Sequence, residues 1–171
     1  MDSMPSERQS SLLGVATFVS ALLVVYSYLD YALNIWPLKL GEARWRFGAV
    51  GVLTNYLGLI MLGTVLWLWF QYLAGNRVHV RVVAVLAGLQ TLLLLGLLVG
   101  FPLDFLQIRG DVQPDDQWNF KAAAARTGVK LFLSTVAFIW ITRAGFKNSK
   151  AEGGRGRRES TPLIVGVDRG G

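Results

Sequence analysis

Four long apolar stretches, separated by short polar segments, dominate the pattern of the chain. They cover residues 12–33, 43–74, 80–101 and 121–143. An apolar run of about 18 or more residues is long enough to cross the roughly 30 Å hydrocarbon core of a bilayer as a helix. The pattern therefore predicts an all-α fold, an integral membrane antiparallel four-helix bundle.

The chain divides into one transmembrane domain, residues 1–146, and a tail, residues 147–171. The tail is rich in Gly, Arg and Ser, and it has too little apolar surface to fold alone, which predicts a disordered basic cytoplasmic tail. The fourth stretch contains Arg126 and Lys130, which share a helix face because they are four residues apart. These cations either reach the membrane interface or line a polar interior, and we favour the interface.

Composition supports the membrane class and removes several kinds of chemistry. Hydrophobic residues make up 53% and charged residues 16%, against about 25% charged in ordinary soluble domains. With no cysteine and one histidine, the chain has no disulfides, no cysteine-ligated metal centre and no bis-histidine haem. We expect no metal and no cofactor.

The distribution of Lys and Arg predicts the orientation in the membrane. Of 17 such residues, ten fall on the side of the two termini and seven on the other side if four spans are counted. Since cytoplasmic segments carry the excess of cations, both termini are expected in the cytoplasm, with the protein in the cell (inner) membrane. The basic tail then faces anionic lipid headgroups, and nucleic acid is not expected as a partner.

The connector motif, residues 36–48, is the most distinctive segment of the sequence. It contains Trp36, Pro37, Arg44, Trp45 and Arg46. A second connector on the same predicted side is acidic, with Asp104, Asp111, Asp115 and Asp116. We expect the two connectors to attract each other and form a small external cap, although exposed ion pairs contribute only about 0–1 kcal/mol each. The alternative is a surface that binds a partner or an anionic polymer.

Few polar residues lie inside the predicted spans. Asp30, near the end of the first span, is expected to form an ion pair with Arg44, Arg46 or Arg126, because an unpaired acid at membrane depth is costly. Asn55 and Gln90 are expected to form an interhelical hydrogen bond, and a substrate-binding pair is the alternative. Small residues predict close helix approach at Gly48, Gly51, Gly58, Gly63, Gly96 and Gly100.

No enzyme signature is present in the sequence. It contains no Gly-rich phosphate loop, no nucleophile elbow, no pair of histidines for a metal and no carboxylate dyad within a span. These absences predict that the protein is not an enzyme.

The pattern Pro37-Leu38-x-Leu40…Trp45-Arg46-Phe47-Gly48, between the first two spans, resembles small uncharacterised four-helix bacterial membrane proteins. Over residues 36–66 it is also similar to a cyanobacterial membrane family associated with hormogonium polysaccharide production. The resemblance implies a bacterial inner membrane and an envelope or exopolysaccharide context, and it carries over no catalytic residue.

Together these observations predict a non-enzymatic accessory or scaffold subunit of a bacterial envelope assembly. Its expected partners are the lipid bilayer and either another membrane protein or further copies of the same chain. The alternative function is a small proton- or ion-coupled membrane transporter. A single water-accessible cavity shared by Asp30, Asn55 and Gln90 favours the transporter, whereas separate, packed sites favour the accessory subunit.

Overall fold

The computed structural model describes the backbone of residues 7–158 and the side chains of residues 11–147. Four long helices and one 3₁₀ turn make up its secondary structure: α1 (Glu7–Asn34), α2 (Ala43–Leu73), α3 (Arg77–Ile108), the turn Pro114–Asp116, and α4 (Gln117–Arg158). Within this part of the chain there is no strand, which confirms the all-α prediction. All four helices are long and apolar enough to cross a membrane, which indicates a multi-pass membrane protein.

The second helix is the centre of the packing. The backbone of α2 packs closely against each of the other three helices, α3 and α4 pack against each other, and the backbone of α1 approaches that of α2 alone. Buried apolar side chains recur at helical spacing on the inward faces, for example Leu53, Leu57 and Ile60 on α2 and Leu131 and Phe138 on α4. Because α1 has a single neighbour, most of its apolar surface is exposed.

Two glycines mark the closest approaches between helices. A Cβ atom added at Gly63 lies 2.8 Å from the Val24 Cγ2 atom of α1, and one added at Gly145 lies 2.7 Å from the Ala84 Cβ atom of α3. By contrast, a Cβ atom at Gly96 or Gly100 meets nothing within 4 Å. The close approach expected at Gly63 is therefore present, whereas the one expected at Gly96 and Gly100 is not. Gly48, Gly51 and Gly58 are likewise open.

Buried hydroxyl groups are satisfied mainly within their own helices. Thr64, Thr91 and Thr135 each donate to the carbonyl oxygen four residues earlier at 2.8 Å. Such back-bonding removes the cost of a buried unpaired hydroxyl. Thr91 also lies 3.3 Å from the Thr142 hydroxyl, which adds a polar contact between α3 and α4.

Gly75 and Asn76 shape the turn between α2 and α3. Gly75 adopts a φ of +65°, a left-handed conformation that glycine accepts without steric cost. Asn76 then caps α3, since its side-chain oxygen accepts from the His79 backbone N–H at 3.4 Å.

The third helix is longer than predicted. The third apolar stretch ends at residue 101, directly before Pro102, but α3 continues through Pro102 to Ile108. Proline removes one backbone hydrogen bond, a loss that apolar helices tolerate when neighbouring groups compensate. As a consequence Asp104 belongs to α3 and not to the following connector.

The fourth helix is also longer than predicted, because α4 begins at Gln117 and its backbone continues to Arg158. It therefore includes the first part of the segment expected to be disordered. Residues 159–171, the rest of that predicted tail, lie outside the described residues.

Candidate functional site

Arg46 is the centre of the candidate site, because it joins three segments of the chain. Its Nε atom donates to Asp104 Oδ1 at 3.1 Å and to Oδ2 at 3.2 Å, and its Nη2 atom makes a further bond to Oδ1. Its Nη1 atom donates to the Leu40 carbonyl oxygen at 2.8 Å. The Asp104 side chain is 11% exposed and that of Arg46 35%. The pair therefore ties the start of α2 to the end of α3 and to the connector between α1 and α2.

The connector, residues 35–42, lies along the first turns of α2, because α1 ends beside the middle of α2 and not beside its start. Asn34, the last residue of α1, donates to the Tyr56 hydroxyl at 2.9 Å. Tyr56 lies 13 residues into α2, or about 20 Å along its axis. The non-helical backbone in this region needs hydrogen-bond donors, and Trp45 Nε1 supplies one to the Ile35 carbonyl oxygen at 3.2 Å.

A cleft of about 510 Å³ opens beside this ion pair. The connector and the start of α2 form one wall, with Leu38 and Trp45, while α3 forms the other with Gly96 and Gly100. The two glycines carry no side chain, and a Cβ atom added at either would meet nothing within 4 Å, so this space is open. The connector cleft is lined mainly by apolar groups and can take an apolar side chain or helix face.

Stacked aromatic rings hold the neighbouring helix ends in place. Phe47 of α2 stacks on Phe101 of α3 with ring centroids 4.9 Å apart, and it packs against Phe120 of α4 at 5.1 Å. Phe105 stacks on Phe120 at 5.2 Å. Pairs of this kind contribute about 0.5–1.5 kcal/mol beyond their burial. The helix ends that form the wall of the connector cleft are therefore packed against each other by aromatic rings.

Asp30 does not form the expected ion pair with an arginine. Tyr56 donates to Asp30 Oδ2 at 2.8 Å, and Asn34 Nδ2 lies 3.3 Å from Oδ1. Among the described residues no cation lies within ion-pair distance of Asp30. The reason is the register of the helices, which places the end of α1 beside the middle of α2, away from the arginines at the start of α2.

Asn55 and Gln90 do not form the expected pair either. Asn55 is exposed, and its side-chain oxygen accepts from Lys130 Nζ at 3.3 Å. Gln90 instead faces Tyr28 in a separate cavity of about 420 Å³ between α1, α2 and α3. Asn55 and Gln90 lie on different sides of α2, so their side chains do not reach each other, although α2 and α3 are neighbours.

The Gln90 cavity contains two polar atoms without protein partners. Gln90 Oε1 and Trp67 Nε1 are buried and make no hydrogen bond within the described structure. Most of the remaining lining is aliphatic. A buried donor and acceptor without partners are costly, yet both are uncharged, and none of the residues that line the cavity is Asp or Glu.

Lys130 and Arg126 occupy exposed positions on α4. The Lys130 amine meets Asn55, which lies 12 residues after the first residue of α2 and 18 before its last. This contact is well inside α2 and at neither end, in contrast to the interfacial position that we favoured from the sequence.

The remaining predicted site residues do not converge on one point. Trp36 and Arg44 are exposed, and the Trp36–Pro37 peptide bond is cis. Asp115 and Asp116 are exposed in the 3₁₀ turn. Lys39 pairs with Glu42 of its own connector at 3.6 Å. In the described part of the chain, the charge attraction expected between the two connectors is thus limited to Arg46 and Asp104.

Within the described residues no group of three or more His, Asp or Glu is placed to hold a metal ion. Asp104 was predicted to lie in an acidic loop, and Tyr56 was not among the predicted site residues. The register of α1, α2 and α3 brings Asp104 to Arg46 and Tyr56 to Asp30, and the sequence does not reveal that register.

Comparison with known protein families, with curated proteins and with solved structures finds no match for this chain.

Proposed function

We propose that this chain is a non-enzymatic accessory or scaffold subunit of a bacterial envelope assembly. In this proposal the four helices cross the inner membrane as an antiparallel bundle, with both termini in the cytoplasm. The pairing of Val24 with Gly63 and of Asp30 with Tyr56 supports antiparallel packing of α1 and α2, because residue numbers fall on one helix as they rise on the other.

The observation that carries the proposal is the separation of the intramembrane polar groups. Asp30 is bonded to Tyr56, Asn55 to Lys130, and Gln90 lies in another cavity. A carrier needs its polar groups along one pathway, whereas a subunit that binds neighbours needs stable, open lateral surfaces. The bacterial envelope context rests on the resemblance of the connector motif.

The connector cleft is the surface we assign to the partner subunit. Its apolar walls suit a helix face of another membrane protein, since small residues allow close approach between helices in lipid. Arg46 and Asp104 neutralise each other at its edge, so the cleft selects for apolar contact and against a single charge.

Affinity purification in mild detergent, followed by mass spectrometry, tests this function. We expect one reproducible membrane-protein partner, and we expect the variant Gly96→Leu/Gly100→Leu to lose it because the added side chains fill the cleft. Gly14→Leu is the matched control, since Gly14 also has open space around it but lies on α1 away from the cleft. Recovery of the chain with no partner contradicts the proposal.

A small ion-coupled transporter is the second candidate, favoured by the level of Asp30. Its partner Tyr56 lies 13 residues from one end of α2 and 17 from the other. An acid beside the middle of a spanning helix suits a proton-coupled carrier. Proteoliposomes that dissipate a pH gradient with the wild-type chain, but not with Asp30→Asn, support this candidate over the accessory subunit.

A further inference from the structure

One face of the molecule remains open between α1 and α4. These two helices do not contact each other, and between them α2 exposes a stripe of side chains at helical spacing, here called the α2 stripe: Asn55, Leu59, Leu62, Trp69 and Leu73. The spacing of four, three, seven and four residues keeps all five on one side of α2.

Two opposite charges border this stripe at the same level of the bundle. Asp30 of α1 is bonded to Tyr56, and Lys130 of α4 is bonded to Asn55. Asn55 and Tyr56 are consecutive residues, so they differ by about 1.5 Å in height along α2. The two residues of α2 that bond to the carboxylate and to the ammonium group therefore lie at nearly equal levels.

Both charges also face away from the side of the molecule that holds the cavities. The cavities between α1 and α3 are lined by Ala49, Thr64 and Trp67 of α2, which lie about 120–180° around the helix from Asn55 at 100° per residue. On α1, Tyr28 lines the Gln90 cavity and lies about 160° from Asp30. Asp30 and Lys130 thus flank the α2 stripe from its two sides.

Among the described residues, neither charge has an ion-pair partner. Lys130 is exposed, and its amine donates to the uncharged side-chain oxygen of Asn55 at 3.3 Å. Asp30 is half-buried and accepts from uncharged donors. Ionised side chains at membrane depth are paired with one another or face water. Within the part of the chain whose side chains are described, the open face between α1 and α4 therefore offers no counter-charge for either of its two charges.

We infer that a second copy of this chain covers the α2 stripe and forms a symmetric dimer, in which Asp30 of each copy pairs with Lys130 of the other. Copies inserted with the same orientation are related by an axis along the membrane normal, and rotation about that axis preserves depth. Two opposite charges at one level on one face are therefore self-complementary, as a two-fold interface requires. This dimer does not depend on the accessory function or on the connector cleft.

Cysteine cross-linking in membranes tests the dimer directly, because the natural chain contains no cysteine. We expect Leu59→Cys and Leu62→Cys to give a cross-linked dimer with a short bis-maleimide, since the α2 stripes of the two copies face each other. Leu92→Cys is the control: Leu92 is 67% exposed on α3, outside this face, and we expect it to remain monomeric. Absence of dimer at both α2 positions, or equal cross-linking at Leu92, overturns the proposal.

Mixing two charge variants tests the pairing itself. In the Leu59→Cys background, Asp30→Asn or Lys130→Gln alone leaves no intermolecular ion pair, and we expect the cross-linked dimer to fall at least fivefold. When the two variants carry different tags and are expressed together, a mixed dimer regains one Asp30–Lys130 pair. We therefore expect recovery of mixed dimers only. No recovery on mixing, or cross-linking of Leu59→Cys to a different membrane protein, contradicts the self-pairing.

Discussion

The guanidinium group of Arg46 donates to both carboxylate oxygens of Asp104. This contact links residues 58 positions apart and fixes the start of α2 against the end of α3. The same guanidinium group donates to the Leu40 carbonyl oxygen, so one side chain also holds the connector on which the cleft depends. A planar group with several donors suits this geometry, whereas a lysine amine does not.

Arg46→Met should destabilise the fold, because it leaves the largely buried Asp104 carboxylate without a counter-charge. We expect a fall in melting temperature of roughly 5–10 °C in mild detergent, followed by circular dichroism. Arg46→Lys should recover only part of this loss, and Arg46→Met/Asp104→Leu most of it. Equal stability of Arg46→Met and the wild-type chain contradicts a stabilising role for the pair.

The glycines of the bundle should differ in their tolerance of a methyl group. Gly145→Ala should destabilise by about 1–3 kcal/mol, because the new Cβ atom lies 2.7 Å from the Ala84 Cβ atom, which cannot rotate away. Gly63→Ala should also destabilise, since its Cβ atom lies 2.8 Å from the Val24 Cγ2 atom and 3.2 Å from the Ser20 backbone carbonyl oxygen. Melting temperatures measured in detergent give the stability of each variant relative to the wild-type chain.

Gly100→Ala is the control for this series, since its Cβ atom meets nothing within 4 Å. It should be neutral or stabilise by up to about 1 kcal/mol through helix propensity. If Gly100→Ala were as destabilising as Gly145→Ala, the assignment of the close helix contacts would be wrong.

Tyr56→Phe should weaken the contact between α1 and α2, because it removes the donor to Asp30 and the acceptor for Asn34. We expect a fall in melting temperature of roughly 2–5 °C, since a carboxylate loses one hydrogen bond. Tyr72→Phe is the control, because Tyr72 is half-exposed at the end of α2. Asp30→Asn/Tyr56→Phe should be less destabilised than Tyr56→Phe alone, and the opposite order contradicts this interaction.

The sequence was sufficient to predict the helices but not their register. Long apolar runs reveal where helices form, and the turn at Gly75 follows from glycine's freedom at positive φ. The partners of Asp30, Asn55 and Arg46 depend on how far one helix is shifted along its neighbour. This shift is set by close contacts such as those at Gly63 and Gly145, which look no different in the sequence from the open positions Gly96 and Gly100.

Pro102 shows a second limit of prediction from sequence. A proline ends most helices in water, where freed backbone groups find other partners. In α3 the helix continues for six residues beyond Pro102, and this extension carries Asp104 to Arg46. Asp104 therefore lies in the helix and not in the predicted acidic loop, and its pairing with Arg46, on which the cleft depends, could not be predicted.

Labelling of single cysteines in intact cells tests most directly whether the chain crosses the membrane as proposed. Lys39→Cys and Asp115→Cys lie in the two connectors assigned to the outer side, and Val78→Cys lies near the turn assigned to the cytoplasm; Val78 is 69% exposed. We expect a membrane-impermeant maleimide to label the first two in intact cells and the third only after permeabilisation. Labelling of Val78→Cys in intact cells to the same extent as Asp115→Cys would contradict the four-span topology and the proposals that depend on it.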